Sequence, residues 1–422
     1  MNFNTILFRF GLNPDNFINE DRDPIKTKDG FIYEVRQRTD IRVCPKCGSI
    51  KSHIQDHDIV EINCSETDQI KDTLRIIKTR FKCVDCGITY TPKINGIDDN
   101  SLISNQTKQL ILGDFTKIMS FAEIGRRYSV SSMKVIQIFD EKVRYIPRGK
   151  MPKILCIDEK GFKGDTDSSY CCFLYDHEKR ELLDIIKSRQ LPYLYEYFLD
   201  IPEEERNNVK YFVSDMYDGY RNIRRVFFKN ALHIVDLFHV VQLLTRAVNK
   251  IRYNHVKEIK KPSPTINFMK SKWKLFLCRK ENIPDKWYTP KSYGYSIHYT
   301  DMVFDCIKQY DDLLIAYNIL QDLYHYNRND TFMESLMFID YIAERLKLTS
   351  IKELETVGNS YTKFRVEIAN GLAKNQTGKY FSNGVAESIN NIVSTIIKVS
   401  NGYQDFERFR KRCMLISRYK KI

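Results

Sequence analysis

The chain has 422 residues, of which 42% are hydrophobic and 29% charged, so it is long enough for several domains and apolar enough to bury a core. Its 17 glycines and 12 prolines are too few for a collagen-like or linker-dominated protein. The 67 basic residues exceed the 54 acidic ones, and a net charge of +13 favours a polyanionic partner, most commonly nucleic acid. No apolar run reaches the roughly 18 residues that a membrane span needs, and no export signal is visible at the start. We therefore expect a cytoplasmic protein without a membrane partner.

The first 98 residues predict an arm followed by a metal-binding module. Residues 1–40 are polar and rich in turn residues, which favours a loosely attached N-terminal arm. Residues 41–98 contain two Cys-x-x-Cys pairs, each followed by glycine, formed by Cys44, Cys47, Cys83 and Cys86. Four thiolates close a tetrahedron around zinc and leave no position for a catalytic water, so the pattern predicts structural Zn²⁺ in a zinc-ribbon domain.

Other potential zinc ligands lie nearby in the sequence. Cys64, His53 and His57 are possible substitutes, but we interpret them as unbound because the paired cysteines already complete a ligand set. The odd total of 11 cysteines, several inside apolar runs, favours reduced thiols and not a disulfide framework.

Residues 101–146 predict three helices, Asn105–Ile118, Phe121–Tyr128 and Ser131–Val143. The last two form a candidate helix-turn-helix DNA-binding domain in which Ala122 and Ile124 face inward and Ser131 caps the second helix. Nine basic and four acidic residues lie between positions 101 and 150, which agrees with phosphate contact. The side chains that we expect to contact DNA are Arg126, Arg127, Ser132, Lys134 and Gln137.

From residue 153 the pattern changes to short apolar runs typical of buried strands. Five strands are predicted, at Ile154–Ile157, Tyr170–Tyr175, Leu182–Ile186, Lys210–Val213 and Leu232–Val235. Short connections join the first three, which favours an antiparallel meander, whereas helices at Leu191–Leu199 and Tyr217–Phe228 are long enough to cross over to parallel strands. The sequence therefore predicts a mixed α/β sheet.

The rest of the chain predicts helices with two basic segments. Residues 240–280 hold eleven basic residues and one acidic residue, with Trp273 among them, and an aromatic ring between cations can stack on an unpaired base. Residues 398–422 hold eight basic and two acidic residues and begin with Lys398. A solvated charged surface is the alternative interpretation of both segments.

Three acidic residues are candidates for catalysis. Asp158 and Asp215 each follow an apolar strand, and Glu387 lies near the start of a late helix. Carboxylates that converge repel each other unless cations lie between them, and hard oxygen ligands select Mg²⁺ or Mn²⁺. Several polar neighbours are candidates for supporting or purely structural roles: Glu159, Asp218, Asp236 and His239.

Taken together, these residues resemble the DDE transposases of the bacterial insertion-sequence group called the ISL-three family. The resemblance covers nearly the whole chain from Cys44 onward. It rests on the paired cysteine turns with Arg80-Phe81-Lys82-Cys83, Ile157-Asp158-Glu159, Ser214-Asp215-Met216 with Tyr220, Asp236-Leu237-Phe238-His239-Val240-Val241, Asn383-Gly384 with Glu387 and Asn390, and Gly402-Tyr403 with Phe406 and Arg412. One departure is that Ile392 and Ser394 stand where the family usually has lysines.

The resemblance implies an α/β multidomain protein with an RNase H-like mixed-sheet catalytic core that a helical insertion interrupts. It implies Asp158, Asp215 and Glu387 as the magnesium-binding triad, with Asp236, His239 and Asn390 in support. The domains that we expect are the arm at 1–40, the zinc ribbon at 41–98, the helix-turn-helix at 101–146, the core at 153–239, the insertion at 240–380, and the last core helix with a basic tail at 381–422.

The implied activity is DNA transposition, with Mg²⁺-dependent cleavage at the inverted-repeat ends of the element and joining to target DNA. The expected partner is double-stranded DNA. Because two ends need two active sites, we expect a homodimer on DNA in the bacterial cytoplasm, associated with the nucleoid. Two alternatives remain: a structure-specific DNA endonuclease with the same core, and a catalytically inert DNA-binding regulator.

Overall fold

The computed structural model describes most of the chain. The described residues are 3–18, 20, 22–40, 42–63, 72–98, 101–166, 168–258, 261, 263–290, 293–326, 331–373 and 384–419, with the backbone alone at 384–388. Two compact units are present, one made of residues 1–147 and 391–422 and the other of residues 148–390. None of the helices described here is both long and apolar enough to cross a lipid bilayer.

The first unit begins with a six-stranded sheet that carries the cysteine pairs. Its elements are helix α1 (Phe3–Arg9) and strands β1 (Phe17–Ile18), β2 (Ile25–Lys26), β3 (Phe31–Gln37), β4 (Ser52–Asn63), β5 (Thr73–Cys83) and β6 (Thr89–Tyr90). The strand order is β1-β3-β5-β4, with β2 beside β3 and β6 beside β5. Leu74 and Ile76 alternate with less buried residues along β5, and after Ile77 and Lys78 the alternation resumes in the other phase, which buries Phe81 in a second apolar cluster.

The N-terminal residues belong to this sheet instead of forming a loosely attached arm. Strand β3 pairs in parallel with β5, with Ile32 opposite Thr73. Leu7 and Phe17 are buried in the same apolar cluster as Val35. Polar turns separate these short elements, so composition alone hides the contacts that bind the segment to the sheet.

Three helices follow, α2 (Asn105–Asp114), α3 (Phe121–Arg127) and α4 (Ser132–Lys142). The hydroxyls of Ser104, Ser120 and Ser131 each accept the N–H three residues later, so each helix starts at a serine cap. Ile124 is buried, as the sequence predicts, whereas Ala122 is exposed. Helix α2 ends four residues before the predicted Ile118, because the following residues form a turn.

The second unit contains a five-stranded mixed sheet, and the predicted mixed α/β class is confirmed. Its strands are β7 (Ile154–Gly161), β8 (Tyr170–Asp176), β9 (Glu181–Ile186), β10 (Tyr211–Ser214) and β11 (Leu232–Val235), in the order β11-β10-β7-β8-β9. Strands β7, β8 and β9 are antiparallel, whereas β10 is parallel to both β7 and β11. The connecting helices are α5 (Leu191–Leu199), α6 (Glu203–Asn207) and α7 (Asp218–Phe227).

A mainly helical region completes the second unit. It contains α8 (Leu237–Glu258), α9 (Pro264–Ser271), the two-stranded sheet of β12 (Trp287–Tyr288) and β13 (Ile297–His298), α10 (Tyr299–Ile307), α11 (Asp311–Tyr324), α12 (Phe332–Leu348), α13 (Lys352–Lys363) and α14 (Arg365–Leu372). Helix α14 packs closely on the mixed sheet, because a Cβ at Gly371 would lie only 2.4 Å from the carbonyl oxygen of Val235. The small sheet of β12 and β13 is not evident from the sequence pattern.

Two helices end the chain, α15 (Gly384–Val399) and α16 (Phe406–Tyr419). Helix α16 packs against α2, α3 and α4 in the first unit, where Arg412 is completely buried and Leu415 contacts their apolar cluster. The side chain of Arg408 also forms an ion pair with Asp140, at 2.8 Å. The predicted basic tail is therefore a packed helix, and several of its cations bind groups within the protein.

Candidate active site and metal centres

Three aspartates lie side by side on the parallel strands of this sheet: Asp215 and Asp236 directly follow β10 and β11, whereas β7 continues past Asp158 to Gly161, beyond the predicted end at Ile157. Val213 of β10 is opposite Cys156 of β7, so continuing this register by two residues places Asp215 beside Asp158. Ser214 is opposite Val235 of β11, so the next step places Asp215 beside Asp236 as well. The N–H of Asp236 donates to the carbonyl of Ser214, at 3.0 Å, which extends the pairing to this edge. The fold therefore brings together the two predicted catalytic aspartates.

Asp215 carries unbalanced negative charge at this edge. Its Oδ1 atom is buried and has no hydrogen-bond partner among the described residues. Burial, with the nearby carboxylates of Glu159 and Asp158, raises the pKa of Asp215 from 3.8 to about 6, although His239 opposes this shift. A buried carboxylate oxygen without a donor is costly, and a bound cation would supply the missing partner.

His239 and Asp236 border the same site. The Nε2 atom of His239 lies 3.9 Å from Asp158 Oδ1 and 3.7 Å from Asp236 Oδ2. Asp236 is buried, and its Oδ1 atom accepts the N–H of Phe238 at 3.1 Å, at the start of α8. His239 is thus close to Asp158, whereas Asp236 lies beside Asp215 and close to His239.

Glu159 points away from Asp158, as strand alternation predicts. Its Oε2 atom accepts a hydrogen bond from Arg189, at 2.6 Å. The guanidinium of Arg189 also lies over the rings of Tyr170 and Tyr217, with distances of 4.8 and 5.4 Å to the ring centroids. Glu159 therefore has a charged partner of its own.

Helix α15 contacts the aspartate edge, which consists of Asp158, Asp215 and Asp236, through Asn390. The side-chain Nδ2 of Asn390 donates to Asp158 Oδ2 at 2.8 Å, and its Oδ1 accepts from the hydroxyl of Tyr175, also at 2.8 Å. The ammonium group of Lys160 donates to the backbone carbonyl of Asn390 at 2.6 Å. Glu387 lies on the same helix, but its side chain is outside the described residues.

The donor set at this edge fits a hard divalent cation. The available oxygens come from carboxylates, which suit Mg²⁺ or Mn²⁺ better than softer metals. Among the described side chains, no three carboxylates place one oxygen each within 4.8 Å of one another. The sequence prediction gives the role of the third carboxylate to Glu387.

The four predicted zinc ligands converge in the first unit. One sulfur atom from each of Cys44, Cys47, Cys83 and Cys86 lies within 4.8 Å of the others, and two of the sulfur pairs are 3.6 Å apart. A tetrahedral zinc with Zn–S bonds of about 2.3 Å needs sulfurs about 3.8 Å apart, so this spacing fits the ion. His53 and His57 are not part of the cluster, and Cys64 lies outside the described residues.

The two cysteine turns have matching backbones. The N–H of Gly48 donates to the carbonyl of Cys44 at 2.9 Å, and the N–H of Gly87 donates to that of Cys83 at 3.1 Å. Both glycines have positive φ angles, 74° and 70°, a conformation that favours glycine. The sequence pattern Cys-x-x-Cys-Gly therefore produces two equivalent turns that point their sulfurs at one position.

The structure distributes the predicted DNA contacts over both units. On α4, Ser132 and Gln137 are exposed and Lys134 is half-buried, with its ammonium group donating to Gln137 at 3.2 Å. On α3, Arg126 is paired with Glu123, and Arg127 lies 3.2 Å from the buried carboxylate of Asp114. Trp273 is 39% exposed in a short 3₁₀ turn, and Lys398 is exposed near the end of α15.

Sequence reasoning missed three side chains that contact the site residues, namely Tyr175, Lys160 and Arg189. Lys160 follows Asp158 by two positions on β7 and therefore shares its face of the sheet, a relationship that period-two alternation could have indicated. Tyr175 and Arg189 act through contacts distant in sequence, and no local pattern distinguishes them.

Aspartates on adjacent strands, with a side-chain contact from a distant helix, form a carboxylate-rich candidate active site. A family model described as Transposase, for the ISL-three (ISL3) group of DDE transposases, matches residues 155–413, more than half of the chain. The chain therefore belongs to the ISL-three family of transposases, as the sequence resemblance predicts, and its substrate class is DNA. A search of curated proteins found no match.

Proposed function

We propose that this transposase uses DDE chemistry in an RNase H-like core. The order β11-β10-β7-β8-β9, with three antiparallel strands followed by two parallel ones, supports such a core. Asp158, Asp215 and Glu387 are the proposed acids. Support for Glu387 comes from the hydrogen bond between Asn390 and Asp158, because residues three apart on a helix lie on the same face.

The proposed reaction has two phosphoryl-transfer steps. Hydrolysis at an inverted-repeat end frees a 3′-hydroxyl, and this hydroxyl then attacks a target phosphodiester, so that one bond forms as another breaks. Asp158, Asp215 and Glu387 would hold Mg²⁺ or Mn²⁺, which at such sites activates the attacking oxygen and stabilises the leaving one. Asp158 and Asp215 supply oxygens from adjacent parallel strands, while Asp236 and His239 border them.

The first unit is the proposed reader of the transposon ends. The four-cysteine cluster would hold structural Zn²⁺ in a zinc ribbon, and α3 with α4 would form the helix-turn-helix. Exposed polar groups at Ser132 and Gln137 favour α4 as the helix that contacts bases, with Lys134, Arg126 and Arg127 near phosphates. Trp273 and Lys398 are proposed contacts for unpaired bases and the backbone, respectively.

An assay of cleavage and joining tests the proposal. The purified chain is incubated with Mg²⁺, a target plasmid and labelled DNA that carries the inverted repeats flanking its coding region. We expect Asp215→Asn to lower both cleavage and joining by at least about 1,000-fold while DNA binding persists. Asp218→Asn is the matched control, because the Asp218 side chain is 58% exposed and pairs with Lys363.

The same assay separates the alternative functions. Hydrolysis without a joined product favours a structure-specific endonuclease. Equal cleavage and joining by the parent and Asp215→Asn would remove the DDE proposal, whereas DNA binding by a parent that neither cleaves nor joins would favour an inert DNA-binding regulator. The proposed working form is a homodimer on DNA in the nucleoid-associated cytoplasm, because a joined product with both ends requires two active sites.

A further inference from the structure

We propose that Tyr175 is a positioning residue that orients Asn390 and, through it, the carboxylate of Asp158. This inference rests on the proposed DDE function and concerns a side chain to which the family pattern gives no role. The Tyr175 hydroxyl donates to Asn390 Oδ1 at 2.8 Å, and Asn390 Nδ2 donates to Asp158 Oδ2 at the same distance. The three side chains form a chain of directed hydrogen bonds across strands β8 and β7 and helix α15.

The direction of this chain follows from its donors and acceptors. The Asp158 carboxylate can only accept, so the amide of Asn390 must present its NH₂ group there and its oxygen to the tyrosine. Rotating the amide by half a turn would place two oxygens against each other at Asp158. The Tyr175 hydroxyl, as the donor at the other end, therefore stabilises the one amide orientation that donates to the Asp158 carboxylate.

Burial and ring packing keep the Tyr175 side chain in one position. It is completely buried and stacks on Phe173, with ring centroids 6.1 Å apart and planes inclined by 19°. It lies opposite Cys156 in the β7–β8 pair, and alternation puts Cys156 and Asp158 on the same face of β7. A rigid aromatic residue thus supports the polar contact from within the sheet.

The same contacts fix the position of helix α15. Lys160 shares the Asp158 face of β7 and donates to the backbone carbonyl of Asn390 at 2.6 Å. Strand β7 therefore contacts Asn390 at two points, the side-chain amide of Asn390 and its backbone carbonyl. Because Glu387 precedes Asn390 by one turn, these bonds locate the helix that carries the third proposed acid relative to the first.

Groups that orient metal ligands typically change metal affinity or activity by about 10- to 100-fold when removed. We therefore expect Tyr175→Phe to raise the apparent Kd for Mn²⁺ by about tenfold, and Asn390→Ala by at least as much. Both the Kd and the Mg²⁺ concentration that half-saturates DNA cleavage should rise, while the cleavage rate at saturating metal falls less.

The matched control is Tyr197→Phe. The Tyr197 hydroxyl donates to Oδ2 of the buried Asp184 at 2.8 Å, so this change removes the same kind of bond elsewhere in the second unit. Mn²⁺ binding is measured on the full, zinc-loaded chain by electron paramagnetic resonance, and thermal unfolding is measured in parallel. Both variants should lower stability, but only Tyr175→Phe should weaken Mn²⁺ binding.

The outcomes separate this inference from the proposed function. If Tyr175→Phe and Tyr197→Phe bind Mn²⁺ equally well, within about twofold of the parent, the positioning role is wrong even when Asp215→Asn abolishes binding. If Asp215→Asn itself leaves Mn²⁺ binding unchanged, both the proposed metal site and the positioning role of Tyr175 are wrong.

Discussion

The guanidinium of Arg412 donates a hydrogen bond to the backbone carbonyl of Met119, at 2.7 Å, across 293 positions of sequence. It also donates to the carbonyls of Phe115 and Lys117 in the turn after α2, and lies over the ring of Phe121. Arg412 has no exposed surface. Helix α16 therefore completes the three-helix part of the first unit, and one buried cation binds three backbone carbonyls of the turn after α2.

Replacing Arg412 with methionine should strongly destabilise the first unit. The change keeps an apolar side chain but removes the charged donor from three carbonyls, those of Phe115, Lys117 and Met119, so we expect the free energy of unfolding to fall by about 3 kcal/mol. Urea unfolding followed by circular dichroism measures this loss. The control is Arg418→Met, since Arg418 is exposed and donates only to the carbonyl of Pro147 among its described contacts. Similar losses in the two variants would contradict the role given to Arg412.

Loss of one zinc ligand should remove the metal and unfold the sheet around it. We expect Cys83→Ser to reduce bound zinc from one ion per chain to none, because three thiolates no longer close the tetrahedron. Mass spectrometry of the metal content and circular dichroism measure the two effects. Cys278→Ser is the control, as Cys278 is half-buried, far from the cluster in sequence and outside the four-sulfur group. Retention of zinc by Cys83→Ser would argue against a four-cysteine site.

The aspartate edge could be predicted because its signals are local. The apolar run before Asp215 predicts the end of β10, and a helix between two strands predicts parallel pairing, although β7 continues past Asp158 to Gly161. The cysteine turns carry a similarly local signal. What local patterns could not give is the partner of each polar group, such as Asn390 for Asp158 or Met119 for Arg412, because these contacts join elements that are hundreds of residues apart in sequence.

In the N-terminal segment, a local pattern indicates the correct structure but the composition indicates the wrong one. Its turn residues favour a loose arm, whereas the alternation of Phe31, Tyr33 and Val35 favours a strand. Period-two alternation is the stronger of the two signals. The segment forms β3 because its apolar side chains pack on the cluster that includes Leu74 and Ile76. Composition describes how polar a segment is, whereas periodicity describes where its apolar groups point.

Acid should destabilise the second unit through His233. Burial, with the charges of Arg224 and Arg221, lowers the pKa of His233 from 6.5 to about 3. Its Nε2 atom bonds to the hydroxyl of Ser214 at 2.9 Å, and although Glu367 lies 3.8 Å from Nδ1, that carboxylate is held by Arg221. Because the unfolded chain binds the proton more readily between pH 6.5 and 3, stability is highest above pH 6.5 and falls as the pH decreases through that range.

The expected slope from this residue is up to about 1.4 kcal/mol per pH unit. His233→Gln removes the titration and keeps a polar side chain near Ser214, so it should be less stable than the parent at pH 7.5 but lose less stability on going to pH 4.5. Urea unfolding at both pH values measures the two differences. An equal loss in the parent and the variant would show that other groups control the acid response.

Two glycines in the three-helix part of the first unit should respond oppositely to the same substitution. A Cβ at Gly125 would lie 2.6 Å from the carbonyl oxygen of Val130, whereas nothing is within 4 Å of a Cβ at Gly113. Gly125→Ala must therefore push the α3–α4 turn apart, and we expect it to cost about 2 kcal/mol. Gly113→Ala lies in the exposed last turn of α2 and should instead stabilise by about 0.5–1 kcal/mol, because alanine loses less backbone entropy in a helix. Thermal unfolding of the two variants and the parent measures the sign of each change in stability. A Gly125→Ala protein as stable as the parent would mean that the α3–α4 turn is less tightly packed than these distances require.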